Sequence, residues 1–281
     1  MRASRDKCFE DMVCEKEDFV RIVNWFADKK DRALVALSGG VDSAVVALAA
    51  KKSLGNNALA ATADYDTLSK EELSSARKIA QEIGIGHIVI KYNQLENQNF
   101  VRNDNLRCYH CRSELASYLV SEASRRDIQL IVDGTNLDDL SDYRPGIKAM
   151  RELGIRSPLV DLGMDKQSVR AIAKFQELSV YNKPSNSCLA SRIPHGINVT
   201  ENRISRIEIA ELFVKSLFSL KRVRVRDHAD LARIEVGEHE IPILFDIRKL
   251  ELLNSRLKGL GFTHVTIDIG GYRGHDYFVE E

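Results

Sequence analysis

The sequence predicts an α/β protein, a parallel sheet with helices on both faces followed by a smaller C-terminal α+β domain. Two observations predict it. From residue 17 to about 180, short apolar runs alternate with helical stretches, which is the rhythm of βαβ units. Beyond about residue 198 the pattern changes to strict alternation in Arg222-Val-Arg-Val-Arg226 and Leu231–Val236, as in strands with one buried face. Residues 1–197 and 198–281 are the expected domains, with Pro194–Val199 as the junction.

The elements follow in order. Glu17–Lys29 places Phe19, Ile22, Val23 and Phe26 at helical spacing and leads into an apolar strand, Ala33–Leu37. Ser38-Gly-Gly-Val-Asp-Ser43 turns the chain into a helix over Ala44–Leu54. Ala58–Ala63 is a second strand. Ser69-Lys-Glu-Glu72 opens a helix with a capping-box pattern, and Gly84 closes it. Ile88–Ile90 is a third strand, Arg112–Arg126 a helix and Ile128–Val132 a fourth strand. A fifth strand is expected near Ile155–Val160, before a helix over Lys166–Leu178. In the C-terminal domain a helix runs from Thr200 to about Ser219, a second spans Ile243–Leu257, and His264–Ile269 closes the fold.

Composition excludes little. The 281 residues carry 41 Lys+Arg and 41 Asp+Glu, so net charge points to neither nucleic acid nor a membrane surface. No apolar run approaches the roughly 20 residues that span a bilayer, and the N-terminus lacks an apolar signal core. A cytoplasmic protein is the expectation. Its five cysteines, an odd number, suit metal or catalysis better than disulfides.

The strand–turn–helix at Ser38, Gly39, Gly40, Val41, Asp42 and Ser43 carries the first chemistry. Glycines let backbone N–H groups approach an oxyanion, and the helix N-terminus adds its dipole. No Lys follows the glycines, so the loop is not built to grip a γ-phosphate. The plain alternative is a glycine turn with Asp42 and Ser43 capping a helix. The six residues resemble the pyrophosphate loop of the PP-loop ATP pyrophosphatases, whose adenine-nucleotide alpha-hydrolase-like fold is Rossmann-like. The resemblance implies that ATP is cut between its α- and β-phosphates, leaving an adenylylated substrate and pyrophosphate.

Cys108-Tyr-His-Cys111 precedes the expected helix at 112, and Cys188 lies far along the chain. A C-x-x-C could be a redox pair, two structural cysteines, or half of a zinc site completed by Cys188 and a ligand such as His110. Three thiolates also suit a 4Fe-4S cluster. Such clusters are normally held by four cysteines, so a deficit of one leaves an open iron position for a hydrosulfide. Cys8, Cys14 and Trp25 read as structural or incidental.

Five segments together, Ser38–Ser43, Arg107–Arg112, Asp133–Gly146, Lys183–Gly196 and Arg222–Glu235, resemble the LarE-type sulfur transferases of nickel-pincer nucleotide biosynthesis. The resemblance implies conversion of carboxylates on pyridinium-3,5-biscarboxylic acid mononucleotide to thiocarboxylates. It implies either a sacrificed sulfur at Cys188 or, where the C-x-x-C is also present, a cluster held by all three cysteines. Cys108 and Cys111 favour the cluster type. A homo-oligomer is a further expectation of the resemblance.

Gly134, Thr135 and Asn136 end the fourth strand, where ligands of parallel sheets bind. Asp138, Asp139 and Asp142 could hold Mg²⁺ on ATP, or simply cap the next helix. Asp42 is a further Mg²⁺ or phosphate-loop candidate. Arg222, Arg224 and Arg226 share a strand face by period two; with Arg192 and Glu235 they are candidates for the substrate side, since Arg binds carboxylate and phosphate bidentately. Competing functions are a tRNA thiolase, an ammonia-dependent amide ligase, and a nucleotide-binding regulator without turnover.

Overall fold

The computed structural model describes residues 2–29, 31–141, 145–184 and 186–272, with the backbone alone for 2–14. It divides into two compact units. One comprises residues 1–65, 70–92 and 108–186, the other 66–69, 93–107 and 187–281. The second unit therefore starts at Ser187 instead of 198 and takes in two segments from the N-terminal half. Hydrogen bonds explain this. Asn103 Nδ2 donates to the carbonyls of Pro194 and Ile197 at 2.8 and 2.7 Å, and Leu189 N donates to Thr67 O at 3.0 Å.

In the first unit, α1 (Arg2–Ala27) precedes β1 (Ala33–Ala36), α2 (Val41–Leu54), β2 (Ala58–Asp64), α3 (Lys70–Ile83) and β3 (Gly86–Lys91). A short helix of the second unit, α4 (Gln98–Val101), intervenes. The chain then forms α5 (Arg107–Arg125), β4 (Leu130–Val132), α6 (Pro145–Glu152), α7 (Pro158–Asp161) and α8 (Lys166–Phe175). The sheet order is β3-β2-β1-β4, and every pairing is parallel. Val35 and Ala60 face one apolar cluster with α1, α2 and α8; Leu34 and Ala61 face another with α5. Helix α2 is buried almost all round, and its many alanines let the sheet and its neighbours approach closely.

Two expectations need correction. The fifth strand is absent: Val132 and Arg156 share one parallel bridge, and Pro158 then starts α7. Proline cannot donate to a ladder, and its fixed φ suits a helix's first position. Helix α5 begins at Arg107, so Cys108 and Cys111 lie in its first turn and do not precede it.

In the second unit, Thr200 Oγ1 caps α9 (Glu201–Phe218) by accepting from Arg203 N at 3.3 Å. Strands β5 (Val223–His228) and β6 (Leu231–Val236) pair antiparallel. Asp246 caps α10 (Ile247–Gly259), which starts later than expected because a 3-10 turn containing Pro242 occupies Glu238–Leu244. β7 (His264–Ile267) then pairs parallel to β6. Val223, Val225, Ala232, Ile234 and Val236 bury one sheet face with residues of α9 and α10, among them Val214, Phe218 and Leu257. Among the described residues, no helix is long and apolar enough to cross a membrane.

Candidate functional site

The loop after β1 is shaped by missing side chains. Gly39 has φ +79°, and a Cβ there would lie 2.8 Å from Ala76 N and 2.9 Å from Glu72 O of α3. At Gly134 a Cβ would lie 2.5 Å from Ser43 N, so only glycine lets the end of β4 rest on the loop. Hydroxyls tie the turn: the Ser38 and Ser43 Oγ atoms are 3.0 Å apart, Ser38 N donates to Ser43 Oγ, and Ser43 Oγ donates to Gly40 O. Gly39 O accepts from Ser75 Oγ and from Lys183 Nζ, and Lys183 also pairs with Glu72 at 2.9 Å. Val41 opens α2 behind Gly40.

Asp42 does not cap α2 with its side chain. Its carboxylate accepts from Asn136 Nδ2 at 3.2 Å and from Lys166 Nζ at 2.5 Å. Lys166 escaped the sequence reading, as did Lys183. The available signal was position, since Lys166 is the first residue of a helix whose N-cap, Asp165, accepts from Ser168 N. Asp133 accepts from Thr135 N, Thr135 Oγ1 and Ser157 Oγ, so the Thr135 hydroxyl is spent on the turn. Asp138 accepts from Lys166 N, and Asp139 exchanges bonds with Asn136, which is helix and turn capping. Asp142 lies outside the described residues. Among the described residues, no three His, Cys, Asp or Glu side chains gather as a metal site.

Cys108 is exposed and Cys111 half-buried, the two one turn apart on α5. Helix α6 seats against this turn at Gly146, where a Cβ would meet Arg112 Cγ at 2.7 Å. Tyr109 adds a 2.6 Å bond to Glu152. That bond holds the Tyr109 phenol above its usual pKa.

In the second unit, Cys188 is a half-buried free thiol at the head of a 3-10 turn, Leu189–Arg192. Arg192 lies beneath that turn, 1% exposed. Its guanidinium donates to Glu211 at 2.8 and 3.2 Å, to the carbonyls of Ser187 and Cys188, and to the Ser187 and Ser191 hydroxyls. Glu211 also accepts from Val225 N, and Arg107 donates to Ala190 O. Arg192 thus fixes the backbone that carries Cys188, and its donors are occupied by protein.

The pairing Arg224↔Glu235 and Arg226↔Arg233 puts these four side chains on the sheet face opposite the apolar core. Arg226 grips Glu235 at 2.9–3.0 Å and donates to Ser191 O, and Arg233 also pairs with Glu235. Arg224 differs. It is 4% exposed, has no carboxylate within ion-pair distance among the described residues, and its buried Nε has no hydrogen-bond partner. Burial, then the positive charge of Arg192, pulls its pKa below the usual guanidinium value. Arg222 and Arg224 both lie over the Tyr272 ring, at 5.4 and 5.3 Å. The period-two reading holds for Arg224 and Arg226, whereas Arg222 precedes the strand.

A glycine loop with no Lys after it, set between a parallel strand and a buried helix, is the arrangement of an ATP-using PP-loop enzyme. Residues 32–107 match the family described as queuosine biosynthesis protein QueC. A 60-residue stretch is 47% identical to the 7-cyano-7-deazaguanine synthase of Methanocaldococcus jannaschii, covering 21% of this chain and 25% of that one. Over far more of the chain, 245 residues are 35% identical to the pyridinium-3,5-bisthiocarboxylic acid mononucleotide synthase of Lactiplantibacillus plantarum, covering 86% of this chain and 87% of that protein. An uncharacterised protein of Synechocystis is 42% identical over 248 residues, or 88% and 92% of the two chains. The chain belongs to the family of that mononucleotide synthase, the LarE-type ATP-dependent sulfur transferases.

Proposed function

We propose that this enzyme adenylylates a carboxylate of pyridinium-3,5-biscarboxylic acid mononucleotide and converts it to a thiocarboxylate. The observation that carries the reading is that one chain holds both a Lys-free phosphate loop and, in its other unit, a cysteine turn clamped by buried Arg192, and aligns over 86% of its length with the synthase relative. The substrate carboxylate attacks the α-phosphorus and the bond to pyrophosphate breaks. A sulfur nucleophile then attacks the acyl carbon and AMP departs. Backbone N–H groups at the α2 N-terminus, from Val41 to Ser43, receive the phosphates. Lys166, Lys183 and Mg²⁺ at Asp42 balance their charge. Arg224 takes an anionic group of the mononucleotide, which supplies the acceptor its buried Nε lacks.

Sulfur delivery we assign to Cys108, Cys111 and Cys188. Thiolate donors suit iron–sulfur ligation. A 4Fe-4S cluster on three cysteines would supply one iron with a position open to an exogenous sulfur ligand. The enzyme is proposed to work as a cytoplasmic homo-oligomer. The second unit offers a contact surface in Ile243, Phe245 and Ile247, the last two 63% and 70% exposed. Intact-protein mass spectrometry after turnover with added sulfide tests the sulfur source. Cys188 keeping its mass over several turnovers supports the cluster. Loss of hydrogen sulfide from Cys188, leaving dehydroalanine after one turnover, would establish the sacrificial route instead.

A further inference from the structure

The polar face of the second unit's sheet holds donors that no group of the sheet answers. Arg224, Arg226 and His228 share that face of β5 by period two, and the pairing Arg226↔Arg233 puts Arg233 there from β6. Arg224, Arg226 and Arg233 bring three positive charges, and Glu235 and Asp268 answer two of them. Three buried nitrogens have no hydrogen-bond partner among the described residues: Arg224 Nε, His228 Nε2 and Arg233 Nε. Buried polar groups are nearly always paired, so three orphans on one face call for a ligand.

The orphans fall into two places. Arg224 lies toward the Cys188 turn: after burial, the charge that most lowers its pKa is Arg192, which donates to Cys188 O. His228 is four residues farther along β5, roughly 13 Å by strand rise. Arg233 lies opposite Arg226 and so diagonal to His228, within reach of a long side chain. Burial, then Arg233 and after it Arg226, lowers the His228 pKa and favours the neutral ring. Arg233 is anchored through its far end, where Nη2 donates to Glu235 at 2.8 Å. Its Nε is 3.6 Å from Asp268 Oδ2, beyond hydrogen-bond distance. A guanidinium Nε can only donate, and a neutral imidazole protonated at Nε2 donates too. Two donors side by side, one of them charged, suit an oxyanion. Water would satisfy the donors but leave the excess positive charge of the face unanswered.

We propose that His228 and Arg233 form a second oxyanion site, which takes another anionic group of the mononucleotide that Arg224 binds. This rests on the mononucleotide reading. That substrate carries two ring carboxylates and a phosphate, so one orphaned guanidinium cannot answer all of its charge. Two sites on one rigid sheet fix which way round the molecule lies.

The experiment measures, by calorimetry on the full-length protein, binding of the dicarboxylate mononucleotide and of the matching nucleoside that lacks the phosphate. The proteins are wild type, His228→Phe, His228→Gln and Arg233→Lys, the last keeping the charge while losing the Nε donor. His228→Phe and Arg233→Lys are each expected to raise Kd for the mononucleotide about tenfold, the scale of one lost charge-assisted hydrogen bond. His228→Gln, whose amide can donate from the place of Nε2, is expected to stay within about threefold of wild type. A nucleoside Kd unchanged by His228→Phe assigns the site to the phosphate, and an equal rise assigns it to a carboxylate. Ligand-free His228→Phe is expected to unfold no earlier than wild type, because it removes an orphaned polar atom. Mononucleotide binding unchanged in His228→Phe and Arg233→Lys, or weakened as much in His228→Gln as in His228→Phe, would overturn the proposal and leave the mononucleotide reading standing. Earlier unfolding of ligand-free His228→Phe would also overturn it, since Nε2 would then have a partner within the protein. Wild type that binds neither ligand would overturn the mononucleotide reading and this proposal together.

Discussion

The two units hold their reactive groups by opposite means. In the first, the phosphate loop is made by subtraction: Gly39 and Gly134 leave room for backbone to meet backbone, and small hydroxyls tie the turn. In the second, the Cys188 turn is made by addition, with one buried guanidinium filling the space beneath it and bonding to Glu211 and to the turn itself. A loop of the first kind tolerates the loss of most side chains but no gain at its glycines. A turn of the second kind fails when one charged partner is removed, because the other is left buried alone.

Arg192→Ala should have the largest effect. It strands Glu211, which is itself buried, at a cost of about 3–5 kcal/mol. Hydrogen exchange should show protection lost across α9 and β5 while ATP binding by the first unit persists; loss of both would break the comparison. Gly39→Ala comes next. A methyl group at φ +79° meets α3 backbone and should cost about 1–3 kcal/mol. Calorimetry should find no ATP binding, with the second unit's hydrogen-exchange protection unchanged.

Lys166→Ala removes a cation from the loop without touching its shape. Steady-state kinetics should show KM for ATP raised about tenfold, on the order of 1.4 kcal/mol, with unfolding little changed. The smallest effect sharpens the comparison through pH. His87 in the first unit is held below its ordinary value of about 6.5 by burial, then by Arg77. His228 in the second is lowered by burial, then by Arg233 and Arg226. Both bind a proton less readily folded than unfolded, so their contribution to stability is full above about pH 6.5 and falls as pH drops. Urea melts from pH 7.5 to 5.5 should show this slope, with His87→Gln and His228→Gln each flattening it.

Much of the first unit was legible because its signals are local. The loop, the start of α3 near Ser69 and four strands declare themselves within windows of a few residues. The expected fifth strand did not form because Pro158, inside an apolar run, starts a helix. The boundary at 198 missed Ser187 because Asn103 and Thr67, far earlier in the chain, bind the segment that follows. In the second unit the period-two pattern correctly put Arg224 and Arg226 on one face. It could not tell that Arg226 grips Glu235 while Arg224 has no carboxylate within ion-pair distance among the described residues, since that depends on which residues lie opposite. Arg192 likewise read as a substrate contact because Glu211, its partner, sits 19 residues away on α9. Lys166 was invisible for the same reason: its partner Asp42 is 124 residues distant.

Separation of activation from sulfur delivery is the centre of this account, and Cys188→Ala tests it most directly. The variant is given ATP, Mg²⁺ and the dicarboxylate mononucleotide, and pyrophosphate and product mass are followed together. The expected result is pyrophosphate release and an adenylylated mononucleotide with no sulfur incorporated, because the loop of the first unit is intact. Thiocarboxylate formed by Cys188→Ala, or ADP in place of pyrophosphate and AMP from the wild type, would contradict it.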